Sequence, residues 1–317
     1  MADPATIGDV ARHAGVSKST VSNVVRRADV VSAPTRERVE DAIRDLGYRP
    51  NGVARALRQR TTHVIGAVVP DQRNPFYAQL ALGAERRARD EGFGLLIANT
   101  GCDLETESAQ IAALLERRVD AVLVAGLCAG SHAAEHIADR GVPVVLGGFR
   151  TEAGERVGVV DVDEEGALDA LVAHLQGLGH TRLAFARGAL REAGGERRER
   201  AFAQAVARRG LDRVEPGDEP TAVVAHDDTV AIEQIGRLER TGCRVPRDVS
   251  VVGFDDIPLA SHERIALTTV RTDAAALGAR SVELLIAASR SGAPASTRES
   301  HPWQLVLRAS TAGARPR

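Results

Sequence analysis

From residue 64 onward the chain alternates short apolar runs with amphipathic stretches, and that alternation restricts the fold more than any other feature. Val64–Val69, Gly94–Ala98, Ala121–Ala125 and Val142–Leu146 read as buried strands. Tyr77–Arg89, Thr106–Glu116 and His132–Asp139 carry apolar residues at helical spacing between them. Apolar runs separated by helices belong to a parallel sheet covered on both faces. A second series begins near Val157. It continues through helix Glu165–Leu178, strand Arg182–Ala186, helix Arg197–Arg209, strand Ala222–Ala225, helix Thr229–Thr241 and strand Val249–Phe254. Helix Ala274–Ala288 and strand Gln304–Leu307 complete this body. Two such series predict two similar α/β lobes, with a ligand cleft between them.

The first sixty residues follow a different, all-helical pattern. Thr6 and Asp9 have capping-box spacing and open a first helix. Gly15 supplies a sharp turn, and Ser17 caps a second helix that begins at Lys18. Val10, Ala11, Val16 and Val21 form the apolar seam between the two helices. That leaves Lys18, Ser19, Thr20, Ser22 and Asn23 on or near the outward face. In a helix-turn-helix this part of the second helix meets base edges. A third helix follows, with Ser32 as its cap, Pro34 in its first turn, apolar residues at Val39, Ala42, Ile43 and Leu46, and Gly47 as its stop. After Pro50, Asn51 caps a stretch through Arg58 that is too short to be helical without a partner.

Composition narrows the function classes. At 317 residues, 44% hydrophobic and 26% charged, the chain suits a globular protein of two or three domains. The net charge of −2 hides an asymmetry: residues 1–60 hold eleven Arg or Lys against seven Asp or Glu, so the acidic excess lies in the body. A basic head on an acidic body suits a module that approaches phosphates. Lys18 is the only lysine beside forty arginines, a bias that says nothing by itself about nucleic acid. Cys102, Cys128 and Cys243 lie far apart and read as buried thiols of a reducing compartment. There is no secretory signal pattern and no run long enough to span a membrane, so the expected location is the cytoplasm. No Gly-x-Gly-x-x-Gly follows the first strand, and His13, His63, His174 and His180 have no metal spacing. The expectation is a protein that is not an enzyme and has neither cofactor nor metal.

The ordered motifs resemble the LacI/GalR family of bacterial transcription regulators over nearly the whole length. They are Thr6–Val25, LGYRPN at 46–51, ARALR at 54–58, IGAVVPDQRNPFY at 65–77, ERRVDAVLVAG at 116–126, HLQGLGHTRLAF at 174–185, VPRDVSVVGFDD at 245–256, LTTV at 267–270 and LVLRAST at 305–311. The resemblance implies an all-α helix-turn-helix domain over 1–50, a hinge helix and linker over 51–61, and a bilobal periplasmic-binding-protein-like body over 62–317. Its first lobe is expected at about 62–156 plus 271–290, and its second at about 157–270 plus 301–311. It also implies a homodimer on double-stranded operator DNA, most simply a repressor, governed by a small molecule such as a sugar or related polyol. Carried over by position, Lys18, Ser19 and Asn23 would read bases. Thr20, Ser22, Ser32, Thr35 and Asn51 would lie on or near phosphates, and Thr6, Ser17 and Tyr48 would join the DNA-contacting set. Leu57 would wedge the central base step from the minor groove, flanked by Ala54, Arg55 and Arg58. In the cleft, Phe76 and Tyr77 would stack on the effector, while Arg198, Asp227 and Asp255 would bond its hydroxyls.

Three departures from the family pattern stand out. Asp227-Asp228 replaces the usual Asn-Asp, trading a donor for acceptors only. The segment Gly210–Pro220 is too short for the strand and helix that usually stand there, which predicts a more open cleft. No apolar heptad follows Thr311, so a dimer rather than a tetramer is expected. Two other readings follow from the same residues: a regulator that binds DNA constitutively, its sensing lost, and a cytoplasmic sugar-binding protein.

Overall fold

The computed structural model describes residues 5–26, 30–48, 61–148, 154–188 and 193–315. It forms two compact units, residues 1–62 and 63–317. The expected hinge stretch, with Asn51, Ala54, Arg55, Leu57 and Arg58, lies outside the described residues.

The head consists of α1 (Ile7–His13), α2 (Lys18–Arg26) and α3 (Ala33–Asp45). Its capping box is complete: Asp9 N donates to Thr6 Oγ1 at 3.3 Å, and Thr6 N donates to Asp9 Oδ2 at 2.8 Å. Gly15 makes the turn at φ +63°, and Thr20 N donates to Ser17 Oγ at 3.0 Å. Val10, Val21, Val39 and Ala42 close a small buried core, with Val16, Ile43 and Leu46 packed against it. One cap differs from expectation. Ser32 stands at the N-cap of α3 but accepts no backbone N–H; its hydroxyl donates to Thr35 Oγ1 at 3.0 Å.

The body contains two lobes. In the first, a six-stranded parallel sheet runs in the order β11-β5-β4-β3-β1-β2, with β1 (Val64–Val69), β2 (Gly94–Asn99), β3 (Ala121–Val124), β4 (Val144–Gly147), β5 (Gly158–Val162) and β11 (Arg298–His301). Helices α4 (Pro75–Asp90), α5 (Leu104–Glu116) and α6 (Ala133–Asp139) connect its first four strands, and α10 (Ala274–Ser291) packs along α4. The second lobe holds the parallel sheet β7-β6-β8-β9 and an antiparallel pair, β10 (Thr269–Thr272) with β12 (Trp303–Val306). Its parallel strands are β6 (Arg182–Ala186), β7 (Asp212–Val214), β8 (Ala222–Ala225) and β9 (Ser250–Val252), with helices α7 (Glu164–Gly177), α8 (Ala193–Arg208) and α9 (Asp228–Arg240).

Two expectations need correction. The run after Val157 does not open the second lobe: β5 pairs with β4 through Gly158↔Val145, and β11 joins the outer edge of β5. The chain therefore crosses between lobes at Asp163, Asp273 and Pro302. The segment at 210–220 has also kept a strand. Residues 212–214 pair in parallel with β6, and only a loop leads from there to β8. Parallel strands usually need a connection of about a dozen residues or more. Residues 215–221 do it without a helix, tied down where Arg182 Nη2 donates to the Asp218 carbonyl at 2.6 Å.

Helices α4 and α10 approach closely because Gly83 and Gly278 face the opposite backbone. A Cβ on Gly83 would run into the Ala275 carbonyl, and one on Gly278 into that of Leu80. Neither helix backbone can yield as a flexible side chain would. Gly83→Ala should therefore destabilise the body by about 1–3 kcal/mol, read as a lower urea midpoint at unchanged slope.

Candidate nucleic-acid interface and ligand cleft

On α2, Val21 and Val24 face the core, which turns Lys18, Ser19 and Asn23 outward into solvent. Thr20 and Ser22 are half-buried on its flanks. The Ser17 hydroxyl lies 2.7 Å from that of Ser19 and 2.8 Å from that of Thr20, so the helix start carries a linked patch of hydroxyls. Lys18 lies back along α1: its Cε is the nearest atom a methyl at Gly8 would meet. The Asp9 carboxyl below it sits under the usual carboxylate range, chiefly through its bonds to Thr6, with Arg12 and Lys18 adding smaller attractions. Thr6 and Ser32 are exposed, and Thr35 and Tyr48 are half-buried. The face thus offers an ammonium, an amide and several hydroxyls, donors suited to phosphates and base edges.

The cleft lies between the lobes of the body and encloses about 430 Å³, counting the part open to solvent. All five residues expected to gather there do so: Phe76, Tyr77, Arg198, Asp227 and Asp255 line it. Asn74 begins the first lobe's side by capping α4, its Oδ1 accepting from Phe76 N at 3.0 Å. Phe76 and Tyr77 set their rings edge to face, 5.3 Å apart. On the other side Asp227 caps α9 by accepting from Val230 N at 2.8 Å. The two caps meet across the cleft, where Asn74 Nδ2 donates to Asp227 Oδ2 at 3.2 Å.

Arg198 is largely enclosed, its side chain 11% exposed, and already engaged. Its Nε donates to Glu164 Oε1 at 2.7 Å and its Nη1 to the His226 carbonyl at 2.8 Å, while Nη2 stands 3.5 Å from Asp255 Oδ1. The guanidinium also lies 3.9 Å above the Phe254 ring. Burial alone would lower its pKa, but the carboxylates of Asp255 and Glu164 more than reverse that, so the charge is held firmly. Asp255 takes up the strained φ of +107°, fixed where its N–H donates to the Val270 carbonyl at 2.8 Å. Asp256 beside it anchors Arg271 and Arg308, each at 2.6 Å. Sequence reasoning missed Asn74, Glu164 and His226 as cleft residues. Asn74 stood within the Asn-Pro-Phe-Tyr run; the other two gave no signal.

The description "Bacterial regulatory proteins, lacI family" matches residues 6–51, and "Periplasmic binding proteins and sugar binding domain of LacI family" matches 62–219. A periplasmic-binding-protein-like domain matches 172–311. The HTH-type transcriptional repressor PurR of Vibrio cholerae serotype O1 (strain M66-2) is 33% identical over 309 residues, covering 89% of this chain and 90% of that protein. The chain belongs to the LacI family. PurR of Aliivibrio salmonicida (strain LFI1238) is 32% identical over 307 residues, 89% of this chain and 91% of its own. Among solved structures, the lac repressor dimer bound to operator and the anti-inducer ONPF aligns at TM-score 0.84 and 27% identity, covering 98% of this chain and 100% of its own. The CelR–cellobiose complex aligns at 0.67 and 28% identity, covering 96% and 99%.

As a LacI-family member the protein is a DNA-binding transcriptional repressor with an effector-binding body. The proteins it matches are regulators rather than enzymes. Among the described residues, no group of His, Cys, Asp or Glu could hold a metal ion, and no helix is long and apolar enough to cross a membrane.

Proposed function

We propose that this LacI-family repressor binds a palindromic operator as a homodimer, each α2 lying in a major groove, and that a sugar-like polyol in the cleft controls it. The observation that carries the first half is the face of α2, where Lys18, Ser19 and Asn23 are exposed above a buried Val21 and Val24. Lys18 suits guanine O6 or N7 and Asn23 suits adenine N6 and N7. Thr6, Ser17, Thr20, Ser22, Ser32, Thr35 and Tyr48 supply the surrounding backbone contacts. From the sequence alone, Asn51 is assigned to phosphates, and Leu57, flanked by Ala54, Arg55 and Arg58, to the minor groove. The protein works in the cytoplasm, where its operator is, and catalyses no reaction. Convergence of the five expected residues on one cleft favours a repressor that still senses over one that binds DNA constitutively.

Selection from a random DNA pool should return a palindrome, and recovery of no sequence preference would overturn the reading. Asn23→Ala should weaken operator binding by about 1–3 kcal/mol per half-site and relax the preference at one base pair. Competition binding against single-base variants checks this. Non-specific, salt-dependent binding should hardly change, since Asn23 carries no charge.

The partner copy is assigned to the outer edge of β2. That strand ends the first sheet, with Leu96 and Ile97 exposed on it and Leu82 and Leu104 exposed on the helices packed beside it.

A further inference from the structure

The geometry points to an effector that carries a protonated amine, of the amino-sugar class, rather than a neutral or anionic sugar. The inference rests on the cleft being the effector site and concerns what that cleft selects. Its two walls differ in kind. The first lobe contributes Asn74, the rings of Phe76 and Tyr77, and small apolar residues, with no charge. The second contributes His226 and three carboxylates, Glu164, Asp227 and Asp255, against one lining guanidinium, Arg198; Arg197 stands behind Glu164, its Nε 3.5 Å from Oε2.

The Arg198 guanidinium is committed. It donates to Glu164 and to the His226 carbonyl, faces Asp255, and rests on the Phe254 ring. An anionic effector would have to displace a carboxylate from Arg198 and would still face the others. The site therefore disfavours a sugar phosphate or sugar acid. Carboxylates accept hydrogen bonds and never donate. The Asp227 side chain, where an asparagine would offer both, makes the wall richer still in acceptors. A neutral hexose meets them with hydroxyls. An ammonium group meets them with three donors and a charge, and charge-assisted bonds are roughly twice as strong as neutral ones. The aromatic wall opposite favours the same group, because ring faces attract a cation and also cover the apolar face of a pyranose.

Calorimetric titration of the full chain tests this with matched sets: glucosamine, galactosamine and mannosamine, each beside its neutral hexose and its 6-phosphate. At least one hexosamine should bind about tenfold or more tightly than its hexose, and no 6-phosphate should bind. Asp227→Asn keeps a residue that caps α9 and should bring the amine-to-hexose ratio down by about tenfold. A hexose that binds more tightly than its amine, a 6-phosphate that binds, or hexosamines that all fail would overturn the proposal. If the hexose or phosphate that binds is lost in Phe76→Ala, the cleft remains the effector site and only its chemistry has been misread. Silence across the whole set removes both the proposal and the effector reading.

Discussion

Ile97→Asp should leave the protein monomeric and reduce its operator affinity by about two orders of magnitude or more. Among the described residues, the strand β2 has a neighbour, β1, on one side only. An open sheet edge presents unpaired backbone donors and acceptors, and folded proteins usually guard such edges with charge. Here the edge carries Leu96 at 40% and Ile97 at 43% exposure, beside Leu82 at 45% and Leu104 at 50%. Apolar side chains gathered in this way mark an association surface. An aspartate there would have to be buried without a partner if two copies closed over it, which costs several kcal/mol. The monomer should keep its fold, since Ile97 is already open to water. One reading head alone would then bind a half-site without the gain of two linked heads, which is about 10²–10⁴ in affinity. Sedimentation of the variant and its operator titration check both parts. A variant that stays dimeric with full affinity would move the interface elsewhere.

A second large effect concerns pH. Asp228 is fully buried at the start of α9, where its carboxyl accepts from Thr269 Oγ1 at 2.6 Å and from Ile257 N at 2.8 Å. Burial pushes its pKa up to about 7; the two bonds oppose this, and the charges of Asp256 and Asp227 add to it. The folded state therefore holds this proton more tightly than the unfolded chain, whose aspartates titrate near 3.9. Below about pH 4 both states are protonated and the group costs nothing. Between about pH 4 and pH 7 its contribution is lost progressively, reaching roughly 4 kcal/mol at neutral pH and above. His174, His180 and His301 act in the opposite sense, since burial lowers their pKa values and the fold gains as pH rises through the unfolded histidine range. The two trends overlap, so the comparison must be with Asp228→Asn, which removes only the aspartate's titration. Wild type should hold its greatest advantage over the variant near pH 4 and lose it towards pH 8. Urea unfolding across that range reads the difference directly, and a gap that does not vary with pH would refute the assignment.

The head was legible in the sequence because its determinants are local. Thr6 and Asp9, Gly15, and Ser17 with Thr20 each act within a few residues of chain. Sheet membership is not local. Gly158–Val162 is an apolar run like its neighbours, and nothing within it reveals that it pairs with β4 instead of opening the second lobe. Residues 212–214 were missed for the opposite reason: two of the three are exposed and charged, so no apolar pattern marks a strand. In the cleft, Phe76, Tyr77, Arg198, Asp227 and Asp255 were reached through resemblance. Glu164 was hidden because an acid in the first turn of a helix already has a reason to be there. Asn74 was hidden because its capping role accounted for only one end of its side chain.

The three crossings between the lobes set what the body can do as a mechanism. Asp163 and Asp273 each cap the helix that follows, accepting from Gly166 N at 3.0 Å and Ala276 N at 2.9 Å. At the third, between β11 and β12, Pro302 has its φ fixed by its ring. Every strap joining the lobes therefore passes through a residue with little rotational slack. Three short straps leave two stiff bodies very few relative motions. The second lobe is joined to the first less like a domain on a tether than like a door on three pins.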